Sequence, residues 1–95
     1  MKKMENYREQ LEAQLKEWKA TIESLEAKAA KTTAETRAEF TKEIEELRRK
    51  KVVVKEKLNE LQKVSGETWD TMKVGVEKAV DELKSALDRV ISRFK

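Results

Sequence analysis

Proline, cysteine and histidine are all absent from this 95-residue chain, and glycine occurs only twice. Without cysteine there is no disulfide framework and no thiolate nucleophile. Without histidine, zinc and haem lose their usual ligands, and acid–base catalysis loses its usual group. No metal and no cofactor is therefore expected. Aromatic residues make up 5% and hydrophobic residues 38%, many of them alanine. That is a thin supply for a compact core, which must offset the entropy of ordering the chain. Long apolar runs are missing too, and no window approaches the ~18 apolar residues of a membrane span. Met1-Lys2-Lys3-Met4-Glu5 has the cations of a signal-peptide start but no apolar stretch behind them, so a cytoplasmic location is expected. What remains is charge: 43% of the residues, 22 basic against 19 acidic. The net charge of +3 is small against that total and says little about a polyanionic partner. A chain rich in Ala, Glu, Lys, Leu and Arg with almost no helix breakers is all-α, a long helix or coiled coil.

The apolar residues fall in one stripe. Met4, Leu11, Leu15, Trp18, Ile22, Leu25 and Ala29 lead through Thr33 and Thr36 to Phe40, Ile44, Leu47, Lys51, Val54, Leu58 and Leu61. After a first step of seven, the spacing is three and four residues, which keeps to one face of an α-helix. Glu12–Lys16, Glu45–Arg49 and Glu46–Lys50 add acid-before-base pairs one turn apart. The pattern predicts one helix over residues 3–64, about 90 Å long at ~1.5 Å per residue. Val64-Ser65-Gly66-Glu67-Thr68 is the first clear punctuation. Gly66 suits the left-handed conformation that ends a helix, and Ser65 or Thr68 suits the cap of the next. A turn at 65–68 and a second helix over 69–94 follow, making a single helical domain.

The second helix carries a wider apolar face: Trp69, Met72, Val76, Val80, Leu83, Leu87, Val90 and Phe94, with Ala79, Ala86 and Ile91 beside them. Folded back antiparallel, it sets these residues against Phe40, Ile44, Leu47, Val54, Leu58 and Leu61 in a hairpin core. Lys51 then stands near Glu82 as the one polar layer. The shorter helix runs out level with Phe40, leaving Leu11, Leu15, Trp18, Ile22 and Leu25 uncovered. Two arrangements would cover them. In the favoured one the first helix stays continuous, because Ala27-Lys28-Ala29-Ala30-Lys31 is strongly helix-forming. Two chains then exchange arms in a homodimer with a three-helix bundle at each end, and those five residues become the self-association surface. In the alternative, a break near 31–34, with a capping box at Thr32-x-x-Glu35, gives a monomeric three-helix bundle.

Ser65-Gly66-Glu67-Thr68-Trp69-Asp70, Gly75-Val76-Glu77-Lys78-Ala79 and Leu83-Lys84-Ser85-Ala86, with Tyr7 and the run Leu11 to Trp18, carry a resemblance over most of the chain. The sequence looks like small bacterial coiled-coil domain-containing proteins, and more loosely like apolipoprotein-type helical chains. The resemblance implies a bacterial, cytoplasmic, helical protein without an assigned enzymatic activity.

Candidate chemistry is sparse. Glu35, Glu39, Glu43 and Glu46 recur at helical spacing, but the di-metal pattern also needs histidine, and a solvated face explains them better. Arg48, Arg49, Lys50 and Lys51, extended by Lys55 and Lys57, form the densest basic run and the candidate anion patch. No aromatic residue is interleaved for base stacking, so nucleic acid is the weakest partner class. Only Val54 of Val52-Val53-Val54 lies on the stripe; Val53 and Val64 make either a second stripe for a partner chain or scattered exposed valine. Lys73, Lys84 and Lys95 line one edge of the second helix, as on helices that lie on lipid. No nucleophile–base pair can be assembled, so an enzyme is not expected. The leading expectation is a non-enzymatic coiled-coil interaction or scaffold protein acting by helix–helix self-association, with a protein partner allowed. The alternative is an amphipathic protein of membrane surfaces.

Overall fold

A computed structural model describes the backbone of residues 2–94 and the side chains from residue 5 onward, so Met4 and Lys95 of the sequence reading lie outside the described side chains. Three helices of equal length follow one another: α1 (Lys2–Ala29), α2 (Ala34–Leu61) and α3 (Gly66–Arg93). The fold is all-α. The helices run up, down and up along a body of 51 × 18 × 18 Å.

The predicted continuous helix over 3–64 is not formed, and the chain turns at residues 30–33 as in the alternative arrangement. Two threonines make the turn. Thr32 Oγ1 donates to the Ala29 carbonyl at 2.6 Å, beside the Thr32 amide that donates to the same oxygen, and so closes the end of α1. Thr33, in extended backbone, accepts the Thr36 amide on its hydroxyl at 3.3 Å and so caps α2. The cap is thus one residue later than the Thr32-x-x-Glu35 reading placed it. Glu35 stands in the first turn of α2, where its charge complements the helix dipole. Helix propensity through Ala27–Lys31 favoured continuation, but only by tenths of a kcal/mol per residue. Closing a short loop costs little entropy, whereas recruiting a second chain costs the translational and rotational freedom of a whole molecule. The break therefore wins, because it lets the apolar stripe of α1 be covered from within.

The second turn behaves differently. Gly66 has φ +64°, the left-handed region, and stands at the head of α3 rather than just past the end of α2. Ser65 is the N-cap position but makes no side-chain cap bond. α3 starts at Gly66, three residues ahead of the predicted start at 69, and Trp69 falls in its first turns.

One apolar core runs the length of the bundle, and no polar or charged residue is buried among the described residues. Phe40, Ile44, Leu47, Val54, Leu58 and Leu61 of α2 face Val76, Ala79, Leu83, Ala86, Leu87 and Val90 of α3. Trp69, Met72, Val80 and Phe94 are partly buried against them. Phe40 stacks on Phe94 with ring centroids 4.2 Å apart, which fixes the antiparallel register. Arg93 clamps the same end: it pairs with Glu39 at 3.3 Å and with Glu43, and lies over the Phe40 ring. At the opposite end Tyr7 meets Trp69 edge-on at 6.0 Å, and the Lys73 ammonium sits over both rings.

The five residues assigned to self-association lie in this same core. Leu11, Ile22 and Leu25 are buried, Ile22 to 1% exposure, and Leu15 and Trp18 are partly buried against them. The uncovered stripe that called for a second chain is absent from the closed bundle.

Candidate functional site

With the apolar residues spent inside, the chemistry of this molecule lies in its surface charges. The basic run from Arg48 to Lys57 is contiguous in sequence, but α2 turns 100° per residue, so the fold deals its members to different sides. Arg49 and Lys50 turn toward α3 and share a shallow groove with Glu46, Val53, Ala79 and Glu82. Lys57 also reaches α3, with its ammonium near the Gly75 backbone. Cations and acids alternate on that side, so its charge is locally balanced. The expected approach of Lys51 to Glu82 does not occur: Glu82 faces Arg49 and Lys50, and Lys51 points to α1. The reason is angular. Lys51 lies on the flank of the stripe on α2, and α1 occupies that flank once the chain turns at residue 30.

The α1 side is different. Arg48 donates to the Glu26 carboxylate at 2.7 Å, so its charge is used within the bundle. That hydrogen bond holds the Glu26 carboxyl below the usual carboxylate range and raises Arg48 further above its own. Beyond this pair the α1–α2 groove opens to about 440 Å³. Lys16 and Lys19 stand on the α1 wall, and Lys51 and Lys55 on the α2 wall. Glu12 is the single acid lining it, and Leu15, Val52 and Leu58 supply an apolar floor. None of the four lysines has an ion-pair partner among the described residues. Lys51 is partly buried, and burial pushes its ammonium below the ordinary lysine range. The neighbouring charges of Lys19, Arg48 and Lys55 push the same way, and Glu23 opposes them.

Half of this groove was visible in the sequence. Lys51 and Lys55 belong to the run already singled out, whereas Lys16 and Lys19 precede it by some thirty positions on another helix. Their only linear signal is spacing, three residues apart and beside the apolar stripe, and that spacing is common on solvated helices. Val52, 49% exposed, is part of the groove floor, while Val53, 42% exposed, lies on the α3 side. Val64, the other member of the expected second stripe with Val53, is partly buried against the core.

Other candidates are used internally or dispersed. Glu39 and Glu43 bind Arg93, and no group of three or more carboxylates able to hold a metal occurs among the described residues. Lys73 is engaged by Tyr7, Trp69 and Glu77. Glu77 also adds to the burial that raises the Tyr7 phenol above its usual value. No described helix is long and apolar enough to cross a membrane. The chain matches no protein-family model, no curated protein and no solved structure.

Proposed function

We propose that this chain is a non-enzymatic, cytoplasmic helical interaction protein that meets its partners through the outside of a closed three-helix bundle. One observation carries this reading. The described core is wholly apolar and satisfied within a single chain, so the groups left to act are exterior charges. Among them Arg48 and Arg93 are paired across the bundle, whereas the four lysines of the α1–α2 groove have no ion-pair partner among the described residues. Self-association by arm exchange would require the bundle to open at residues 30–33 and re-form its core between chains. The closed form meets the same needs without a second copy.

Lysine-directed cross-linking in the source cell, read by mass spectrometry, tests the proposal. Cross-links from exterior lysines to another macromolecule are expected. Cross-links confined to the chain itself would overturn the interaction reading. Light scattering separates the two forms: an 11.1 kDa monomer is expected, and a dimer would restore arm exchange.

A second reading, contact with anionic membrane surfaces, is favoured by the lysine groove rather than by the edge of α3. Lys73 of that edge is already occupied by two aromatic rings. An apolar face of α3 turned toward lipid would have to leave the core, which holds Leu83 and Val76 at 0% exposure. The cationic groove needs no such opening.

A further inference from the structure

The α1–α2 groove can be assigned a ligand chemistry, on the reading just proposed that the exterior is the working surface. The geometry points to a binding site for a ligand bearing two or more closely spaced phosphates, held between Lys16 and Lys19 on one wall and Lys51 and Lys55 on the other.

The four ammonium groups come as two pairs, each one helical turn apart on its own helix, so each pair shares a face. They meet across an opening of about 440 Å³, within the range of small-molecule sites. Leu15, Val52 and Leu58 supply apolar surface between the two lysine walls. The donor set selects the anion. A guanidinium matches a planar carboxylate with two parallel hydrogen bonds, but no arginine lines this groove, and its neighbours Arg48 and Arg8 are committed to Glu26 and Glu12. Lysines are compact point charges with rotatable donors, and four of them reward density of negative charge rather than planarity. Adjacent phosphates supply that density.

The groove also holds repulsion that such a ligand would relieve. Lys51 is disfavoured as a cation by burial and by three neighbouring cations, with Glu23 the one carboxylate that acts the other way. The α2–α3 groove is the internal contrast, because two acids, Glu46 and Glu82, line it beside Arg49 and Lys50, against one acid and four lysines here.

Calorimetric titration of the full chain with inorganic tripolyphosphate is the direct test. One-to-one binding that weakens steeply with added salt is expected. Lys19→Gln with Lys51→Gln should weaken it at least tenfold, and so should Lys16→Gln with Lys55→Gln, which alters only exposed side chains. Lys42→Gln with Lys63→Gln removes the same charge outside the groove and should leave affinity within about twofold. The first pair should melt at or above the parent temperature, because it removes repulsion, so its loss of binding will not reflect unfolding. The ligand's source is read with phosphatidylcholine vesicles containing phosphatidylinositol bisphosphate. Flotation with the vesicles, competed by tripolyphosphate, identifies a lipid headgroup, whereas binding of tripolyphosphate alone identifies a free polyphosphate. Either result supports the site. Equal losses in the groove and control pairs would overturn it, as would tighter binding of a single-stranded RNA of matched charge. No binding of either phosphate probe, alongside cross-links to another macromolecule, would overturn the site and leave the interaction reading standing.

Discussion

Arg48 and Glu26 join across the α1–α2 interface at 2.7 Å, twenty-two positions apart in sequence. The contact does two things. It closes one end of the groove, and it commits a guanidinium that borders a cluster of lysines. The carboxylate gains a partner on folding, so its folded pKa lies below its unfolded one. The stability it adds is present above the unfolded value and is lost as pH falls through the folded one. Carboxyl NMR titration should place Glu26 below the ordinary carboxylate range, and Arg48→Met should return it there.

Lys51 has the opposite linkage. Its folded pKa lies below the unfolded one, so the charged form is penalised in the bundle at neutral pH. The penalty is complete below the folded pKa and disappears as pH rises to the unfolded value. Lys51→Met should stabilise the bundle at pH 7, by up to about 0.5 kcal/mol as for a surface change, or roughly 2–4 °C in Tm. Melting curves taken from pH 7 to pH 11 should show the gain shrinking over the upper half of that range.

Ile22 reports on how the core is assembled. It is 1% exposed, and Ile22→Ala should cost about 2–5 kcal/mol through lost burial and a cavity. That is a large part of the stability of a domain this small. In a closed bundle the parent Tm does not depend on protein concentration, whereas an arm-exchanged dimer would melt higher as it is concentrated. Differential scanning calorimetry over a hundredfold concentration range checks both points.

The two glycines should respond in opposite directions. At φ +64° an alanine in place of Gly66 would be strained even though open space surrounds it, at a cost of about 1–2 kcal/mol. Gly75 lies inside α3, where the nearest atom to an added Cβ is the Lys57 ammonium at 4.0 Å. Gly75→Ala should therefore stabilise by about 0.5–1 kcal/mol through helix propensity. Chemical denaturation of the two variants would show midpoints on either side of the parent.

Thr33→Ala should cost about 1 kcal/mol by stripping the cap of α2. The chain should stay monomeric by light scattering, because the turn is held mainly by the core that it allows to form. A shift to dimer would mean instead that the threonine alone decides between the turn and a continuous helix.

The α2–α3 hairpin was legible because its evidence is local and periodic. Residues from Phe40 to Leu61 and from Trp69 to Phe94 repeat at helical spacing, Gly66 marks the turn between them, and Phe40 meets Phe94 as the fold-back requires. The first turn was less legible. Its signals are two threonine hydroxyls inside a run of good helix formers, and propensity and capping differ there by about 1 kcal/mol or less. Burial of Leu11, Ile22 and Leu25 outweighs both, and burial belongs to the whole fold rather than to residues 30–33. Lys51 was misplaced for a related reason: a residue on the flank of an apolar stripe has no assigned neighbour until a third helix arrives.

Composition and periodicity determined that this chain is helical, that its apolar residues form stripes, and that its charges are solvated, because these properties follow from side-chain type and the 3.6-residue turn. The tertiary structure alone decided that α1 folds back on its own chain. It also decided that the basic run from Arg48 to Lys57 is split between two grooves, and that Lys16 and Lys19 complete one of them. Those outcomes rest on which helices become neighbours, and that is settled by the total apolar surface the closed bundle buries, a quantity no local segment carries.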